Sequence, residues 1–80
     1  MIRIELYGVL GERVGRGEVQ LDMPVPAELS RVLEQLSTQY PSLASELPRA
    51  ACAVGDTLVR RDETVTGDVP LVLLPPVSGG

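Results

Sequence analysis

The chain has 80 residues, which is enough for one small domain and too few for two. Hydrophobic residues make up 44% of it and charged residues 22%, which argues against disorder, and no apolar run approaches the ~20 residues of a membrane span. Its seven basic and eleven acidic residues give a net charge of −4, so the attraction that a nucleic-acid partner requires is absent.

Two segments near the N-terminus alternate apolar and polar residues with the period of a half-buried strand. The first covers residues 2–7 and the second covers residues 18–23. Between them, residues 8–17 are repeatedly interrupted by glycine, which indicates a hairpin loop. We therefore predict an antiparallel β-hairpin at the N-terminus.

Residues 27–40 have the spacing of an amphipathic helix. Pro26 suits the first turn of this helix, and the carboxylate of Glu28 suits the positive end of its dipole. Pro41 disfavours helical dihedral angles at the residue before it and should end the helix. The predicted apolar face consists of Leu29, Val32, Leu33, Leu36 and Tyr40.

The second half of the chain predicts short strands. Residues 42–49 indicate a connector with one short helical turn, and residues 51–54 an apolar strand. Residues 58–60 are expected to pair as a brief strand, and residues 62–68 to form a polar loop. Residues 71–74 are continuously apolar, which is typical of a central strand covered on both faces.

The order of these elements predicts an α+β domain over residues 1–74. The helix must lie across one face of a mixed sheet, since the chain has no other apolar surface for it to cover. If the first and last strands are central and parallel, the fold is a β-grasp, the arrangement of ubiquitin. Another small α+β topology also fits the pattern.

Residues 75–80, Pro-Pro-Val-Ser-Gly-Gly, predict an extended C-terminal tail. Pro75 and Pro76 fix φ and lack N–H groups, so this segment cannot continue as a hydrogen-bonded strand. Gly79 and Gly80 have no Cβ, so their backbone can thread a narrow channel and the carbonyl of Gly80 is open to attack. Six extended residues reach roughly 20 Å. The alternative is a frayed end without function.

The side-chain inventory excludes common kinds of catalytic site. With no His and one Cys, the chain cannot build a Ser-His-Asp triad or a zinc site, and we expect no metal. Cys52 lies in an apolar stretch, which favours a buried structural thiol over a reactive one. All basic residues are Arg, so polymers joined through internal lysines are impossible. Without a signal-peptide pattern, we expect a cytoplasmic protein.

The layout and the ending Leu-Leu-Pro-Pro-Val-Ser-Gly-Gly resemble the MoaD family, the small sulfur-carrying subunit of molybdopterin synthase, within the MoaD/ThiS ubiquitin-like superfamily. The resemblance covers the whole chain, and the Pro-Pro-Val-x-Gly-Gly ending is its specific part. ThiS carriers also end in Gly-Gly but usually lack the proline pair. The chain departs from the family at Gly11, where many members have Arg, and at Gly55, where Asn is common.

The resemblance implies that an adenylyltransferase activates Gly80 with ATP and that Gly80 then becomes a thiocarboxylate. Its sulfur would be donated to the pterin precursor, cyclic pyranopterin monophosphate, in molybdenum cofactor biosynthesis. Gly79 would thread the channel of the large synthase subunit, which supplies the catalytic groups in an expected heterotetramer. The small subunit itself would bind no cofactor and have no catalytic residues beyond the Gly80 terminus.

The resemblance also implies a docking surface for partner proteins beside the tail. Leu58 and Leu74 could instead be core residues. If Leu71 and Leu73 face the helix, strand alternation places Leu74 on the other side. The expected partner-binding residues are Tyr7, Leu58, Leu74, Pro75, Pro76 and Val77.

Three other functions fit the sequence. One is a sulfur carrier for thiamine or cysteine synthesis, and a second is a ubiquitin-like modifier joined through Gly80 to lysines of other proteins. The third is an interaction module whose tail has no function.

Overall fold

A computed structural model describes residues 1–76. The expectations placed on Val77, Gly79 and Gly80 lie outside the described residues. The elements, in chain order, are β1 (Ile2–Leu6), α1 (Val9–Val14), β2 (Glu18–Leu21), β3 (Ala27–Glu28), α2 (Leu29–Gln39), β4 (Ala51–Val54), β5 (Thr57–Leu58), β6 (Thr64–Val65) and β7 (Leu71–Leu74).

Five strands form one mixed sheet in the order β2-β1-β7-β4-β5. The first and last strands, β1 and β7, are adjacent and parallel, and every other neighbouring pair in this sheet is antiparallel. The predicted β-grasp fold is therefore confirmed. β3 and β6 form a separate two-stranded sheet.

The core lies between one face of the large sheet and α2. Along β1, Ile2, Ile4 and Leu6 are buried, whereas the residues between them are exposed or half-buried. The predicted apolar face of α2 is confirmed, because its four leucine and valine residues are buried and Tyr40 packs against the core at the end of the helix. This burial of one face by one helix stabilises the fold.

The helix begins at Leu29 instead of residue 27, so the predicted start is wrong by two residues. Ala27 and Glu28 pair with Val65 and Thr64 as strands β3 and β6, so Pro26 does not occupy the first helical turn. The expected polar loop over residues 62–68 therefore contains a strand.

The predicted loop over residues 8–17 contains a helix, α1. Leu10 is fully buried and fixes this helix against the core, and Gly15 ends it in the left-handed conformation. The connector after α2 has two 3-10 turns, Pro41–Leu43 and Leu47–Arg49, where one turn was expected. The brief strand predicted at residues 58–60 lies at 57–58.

The prediction that β7 is covered on both faces is wrong. Leu71 and Leu73 are fully buried, but Val72 is half-buried and Leu74 is 37% exposed. The chain has a single layer of helix to place on the sheet, so one face of β7 is left open. Within residues 1–76, none of the helices is both long enough and apolar enough to span a lipid bilayer.

Candidate functional site

The open face of the sheet carries an apolar patch at the end from which the tail leaves. The strand register places Leu58 opposite Ala53 and Ala53 opposite Val72, so these side chains form one row across three strands. Leu74 lies opposite Ala51 in a second row, and Tyr7, which follows β1, is next to Leu74 by continuation of the parallel register. We call Tyr7, Ala51, Ala53, Leu58, Val72 and Leu74 the open-face patch.

The large side chains of the patch are well exposed: 68% for Leu58, 48% for Tyr7 and 37% for Leu74. Ala53 is buried although it faces away from the main core, so its neighbours on the open face cover it. Exposed leucine and tyrosine side chains beside small alanine residues are typical of a docking surface.

The hydroxyl group of Tyr7 is hydrogen-bonded to a side chain of the preceding strand, β1. It donates to Oε1 of Glu5 at 2.9 Å. This hydrogen bond, and then the negative charge of the carboxylate, raise the pKa of Tyr7 above its ordinary value of 10.0. The ring therefore lies beside Leu74 with a protonated, already partnered hydroxyl group.

The other half of the open face is charged. Glu5 and Glu18 lie opposite each other on β1 and β2, and Nε of Arg3 lies 3.2 Å from Oε2 of Glu18. The open face is thus divided into a charged half over β1 and β2 and an apolar half over β7, β4 and β5. The tail leaves at the end of the apolar half.

On one side of β7, strand pairing ends at Tyr7. The Tyr7 N–H donates to the Leu73 carbonyl at 3.2 Å, which is the last hydrogen bond between these strands. The next two carbonyl groups of this segment accept hydrogen bonds from N–H groups of α1. The Tyr7 carbonyl accepts from the Leu10 N–H at 3.2 Å, and the Gly8 carbonyl accepts from the Glu12 N–H at 3.3 Å.

On the other side of β7, pairing ends at Ala51, and the backbone of the preceding residue, Ala50, is hydrogen-bonded elsewhere. Its N–H donates to the Leu47 carbonyl at 3.1 Å, and its carbonyl accepts from Nη2 of Arg61 at 2.9 Å. Arg61 also donates to the Leu47 carbonyl at 2.8 Å. The backbone of both neighbouring strands is thus already hydrogen-bonded where Pro75, which has no N–H, begins the tail.

Cys52 lies between Ala51 and Ala53 on β4, but its side chain is on the opposite, core-facing side of the sheet. It lies opposite Leu73 in the register, is 2% exposed and belongs to the core, so the predicted buried thiol is confirmed. Burial raises the pKa of the thiol above its ordinary value of 9.0, and the positive charge of Arg61 opposes this rise. Such a thiol is a poor nucleophile.

The structure brings together Tyr7, Leu58 and Leu74, with half-buried Pro75 and exposed Pro76 at the root of the tail. Their role in partner binding stays a prediction. Sequence reasoning did not identify the other three patch residues, Ala51, Ala53 and Val72, although alternation along their strands could have done so. Among residues 1–76, no three His, Cys, Asp or Glu side chains are grouped as metal ligands would be.

Sequence reasoning also missed Gly8. A Cβ built on Gly8 would lie 2.9 Å from Cγ of Pro75, so the backbone of Gly8 is in direct contact with the root of the tail. Its place directly after the first strand is the one sequence signal for this role.

Comparison with known proteins agrees with this geometry. The model of the ThiS family matches residues 4–80. A search of curated proteins gave no significant match.

Among solved structures, SAMP1 (small archaeal modifier protein 1) from Haloferax volcanii superposes with a TM-score of 0.85 at 24% identity, over 99% of this chain and 98% of its own. A Pyrococcus furiosus protein assigned as subunit 1 of a molybdopterin converting factor has a TM-score of 0.82 at 17% identity, over 95% and 97% of the two chains. The Haloferax volcanii protein HVO 2177 has a TM-score of 0.82 at 20% identity, over 99% of this chain and 85% of its own. These likenesses show the β-grasp fold, and the family match over nearly the whole sequence shows that the chain belongs to the ThiS family of ubiquitin-like proteins.

Proposed function

We propose that the protein is a sulfur carrier, in which the carboxyl group of Gly80 holds the sulfur and delivers it for molybdopterin synthesis. The observation that carries the proposal is an exposed apolar patch beside Pro75, where the segment that ends in Gly79-Gly80 leaves the sheet. The patch provides a surface on which a partner docks, and this segment provides the reach into the partner's active site. Family membership and the Pro-Pro-Val-Ser-Gly-Gly ending support it.

The chemistry follows from the poor reactivity of a carboxylate. A carboxylate oxygen of Gly80 attacks the α-phosphorus of ATP on an activating partner, and pyrophosphate leaves. A donor at the oxidation level of hydrosulfide then adds to the carbonyl carbon and AMP leaves, so that one oxygen is replaced by sulfur. The thiocarboxylate so formed is a nucleophile, and its sulfur bonds to a carbon of the pterin precursor as an oxygen substituent leaves that carbon. Water then hydrolyses the acyl–sulfur bond, which leaves the sulfur on the pterin and restores the Gly80 carboxylate.

The division of labour between subunits accounts for the composition of this chain. It has no His and no Lys, and its one thiol is buried, so the groups that activate substrate belong to a large synthase subunit. The open-face patch is where that subunit docks. Its burial in a complex would remove Leu58, Tyr7 and Leu74 from water, which favours association.

A second candidate function is protein modification, in which Gly80 is joined to an amine of another protein. The structural likeness to SAMP1, a small archaeal modifier protein, favours it. Conjugates of this chain on a denaturing gel would support modification, and a free thiocarboxylate would support carriage. A carrier for thiamine synthesis, suggested by the family name, would be separated by the large partner that co-purifies.

Two changes in the tail test the carrier function. Deleting Gly80 should abolish sulfur transfer, and Gly79→Val should impair it strongly, because a branched side chain would block a channel that closes around backbone. Thermal unfolding should be nearly unchanged in both variants, because the terminal residues of most domains contribute little packing. Transfer is measured as molybdopterin formed by the reconstituted synthase.

Ser78→Ala is the matched control, since it changes the tail at the variable position of the motif and should retain transfer. A Gly80-deleted protein that still supports molybdopterin synthesis would rule out the carrier function.

A further inference from the structure

We propose that Gly8 is a positioning residue for the tail: the Pro75 ring is seated on the bare backbone of Gly8, and this contact sets the direction in which the tail leaves the sheet. The consequence for delivery rests on the proposed function, whereas the seating of the ring does not. The last registered pair of β1 and β7 is Leu6 with Leu73, and the Gly8–Pro75 contact continues this alignment by two residue pairs.

The contact leaves no room for a side chain at residue 8. A Cβ on Gly8 would lie 2.9 Å from Cγ of Pro75, 3.6 Å from Cδ and 3.8 Å from Cβ. The proline ring is tied to its own backbone and cannot rotate away as a flexible side chain would. Any L side chain at residue 8 would therefore displace Pro75.

The backbone angles of Gly8 also favour glycine at residue 8. With φ of 58° and ψ of −135°, this residue has a conformation that L residues with a Cβ rarely adopt. The conformation turns the chain from β1 directly into α1, and the turn brings the backbone of Gly8 under the ring of Pro75. Glycine is required both for the turn and for the seat.

The backbone of Gly8, on which the Pro75 ring packs, is rigid because the segments before and after it are fixed by strand pairing and by packing. Before it, β1 pairs with strands on both sides. After it, Leu10 is fully buried and the Glu12 N–H donates to the Gly8 carbonyl at 3.3 Å. Gly8 is thus a fixed point of the domain, and a group that packs on it is fixed in direction as well.

The backbone on either side of Pro75 already has other hydrogen-bond partners. The contact between the Pro75 ring and Gly8 is therefore what directs the start of the tail. The backbone of Ala50 is hydrogen-bonded to Leu47 and Arg61, and the carbonyls of Tyr7 and Gly8 are hydrogen-bonded within α1. Since Pro75 has no N–H, the tail cannot extend either ladder. Preorganising an arm in this way lowers the conformational entropy that a partner must remove when it binds.

Nuclear magnetic resonance tests the seat without any partner. In the wild-type protein, we expect cross-relaxation between the Gly8 Hα protons and the ring protons of Pro75. Gly8→Ala should abolish the ring contact and change the Cα–Hα residual dipolar couplings of Pro75 and Pro76, while those of β1 and β4 are retained. Gly15→Ala is the matched control, because Gly15 also has positive φ, 81°, but no atom lies within 4 Å of its added Cβ.

A kinetic experiment distinguishes a positioning role of Gly8 from a general effect on stability. With the organism's ATP-dependent activating enzyme, Gly8→Ala should raise KM for the carrier by about tenfold and leave kcat nearly unchanged, as expected for a misdirected but intact terminus. Gly15→Ala should change neither constant. Pro75→Ala should raise KM as well, and the double variant should be no worse than the worse single one, because both changes remove the same contact.

Three results would overturn the proposal: no cross-relaxation between Gly8 and Pro75 in the wild type, unchanged Pro75 and Pro76 couplings in folded Gly8→Ala, or single-variant effects on KM that multiply in the double variant. If Gly8→Ala does not fold, the wild-type cross-relaxation and the dipolar couplings of Pro76 in Pro75→Ala decide. These structural readouts need no sulfur chemistry, so a failure of the carrier function would leave them intact.

Discussion

Leu73 and Leu74 are neighbours in the sequence but have opposite surroundings. Leu73 is fully buried under α2, and Leu74 is 37% exposed on the open face beside Tyr7. Strand alternation alone places one in the core and the other at the surface. An exposed leucine is ordinary by itself, but one that belongs to the open-face patch at the root of the tail is a candidate docking residue.

Leu74→Glu tests this role. The isolated variant should stay folded by circular dichroism, because the site is partly exposed. Its affinity for the large synthase subunit should fall strongly, because docking would bury an unpaired carboxylate.

Val69→Glu is the control for this variant, since Val69 is 43% exposed and precedes the other end of β7. It should leave affinity unchanged. Loss of fold in Leu74→Glu would assign Leu74 to the core, and unchanged affinity would remove it from the interface.

Cys52 has a structural role in this account. Cys52→Ala should retain sulfur transfer and lower the free energy of unfolding by about 1 kcal/mol, as for truncation of a small buried side chain. Denaturant unfolding and the synthase assay measure the two quantities. Loss of transfer in the folded variant would give the thiol a part in the mechanism.

The raised pKa of Cys52 also predicts a pH dependence. In the unfolded chain the thiol ionises near 9.0, whereas the folded protein retains the proton to higher pH. The unfolded state therefore binds fewer protons above this pH, and the stability of the wild type should fall as pH rises. This part of the alkaline loss should be missing in Cys52→Ala. Equal slopes above pH 9.0 in the two proteins would contradict it.

At the scale of elements, Gly11 of α1 packs closely against the backbone just before and just after the helix. This packing favours a small residue at position 11. A Cβ on Gly11 would lie 3.0 Å from the Leu6 carbonyl oxygen and 3.2 Å from the Arg16 carbonyl oxygen. These are backbone atoms, which cannot move aside as a side chain can. A side chain at residue 11 therefore requires these two carbonyl groups to move by a few tenths of an ångström.

Gly11→Ala should therefore destabilise the fold, by about 1–3 kcal/mol as for other overpacked sites. In an ordinary short helix the same change would stabilise by about 0.5–1 kcal/mol, so the sign of the effect distinguishes the two situations. Denaturant unfolding measures it. An increase in stability would show that α1 has room for a side chain at residue 11.

The elements that sequence reasoning missed are those that tertiary contacts create. β3 and β6 have two residues each, too few to show a period, and they form because Ala27 and Glu28 meet Val65 and Thr64 across the fold. α1 has six residues, one of them Gly11, and is flanked by Gly8 and Gly15, so its local preference is weak, and burial of Leu10 stabilises it. The longer elements β1, β2, α2, β4 and β7 were predicted because their apolar spacing is clear.

The candidate site was predictable to a similar extent. Tyr7, Leu58 and Leu74 were placed on a docking surface through resemblance, and the register shows that they share one face. The contact of Gly8 with Pro75 was not predictable, because it depends on β1 and β7 being aligned to their ends. A pair so far apart in the chain leaves no local pattern.

At the scale of the whole molecule, the main five-stranded sheet has the buried core on one face and the open-face patch on the other. On the helical side, Glu46, which is 9% exposed, joins two distant segments through an ion pair with Nη2 of Arg13 at 3.2 Å. It also pairs locally with Nη2 of Arg49 at 3.7 Å. The open side has its apolar half and the tail at the same end. This asymmetry suits a carrier, because the packed core lies on one side of the sheet and the surface that would dock on a partner lies on the other.

The β-grasp fold by itself does not specify a pathway, since related folds serve both carriage and modification. The chemical state of Gly80 is what differs between them. A carrier holds sulfur on a free terminus, whereas a modifier is joined through it to other proteins.

Intact-mass spectrometry of the protein purified from its own host tests the central claim most directly. We expect a population heavier than the sequence mass by the difference between one sulfur and one oxygen atom, with the extra mass confined to the fragment that contains Gly80. The Gly80-deleted variant should lack this population. An unmodified terminus in every molecule, in cells that contain the activating enzyme and are making molybdopterin, would contradict the account.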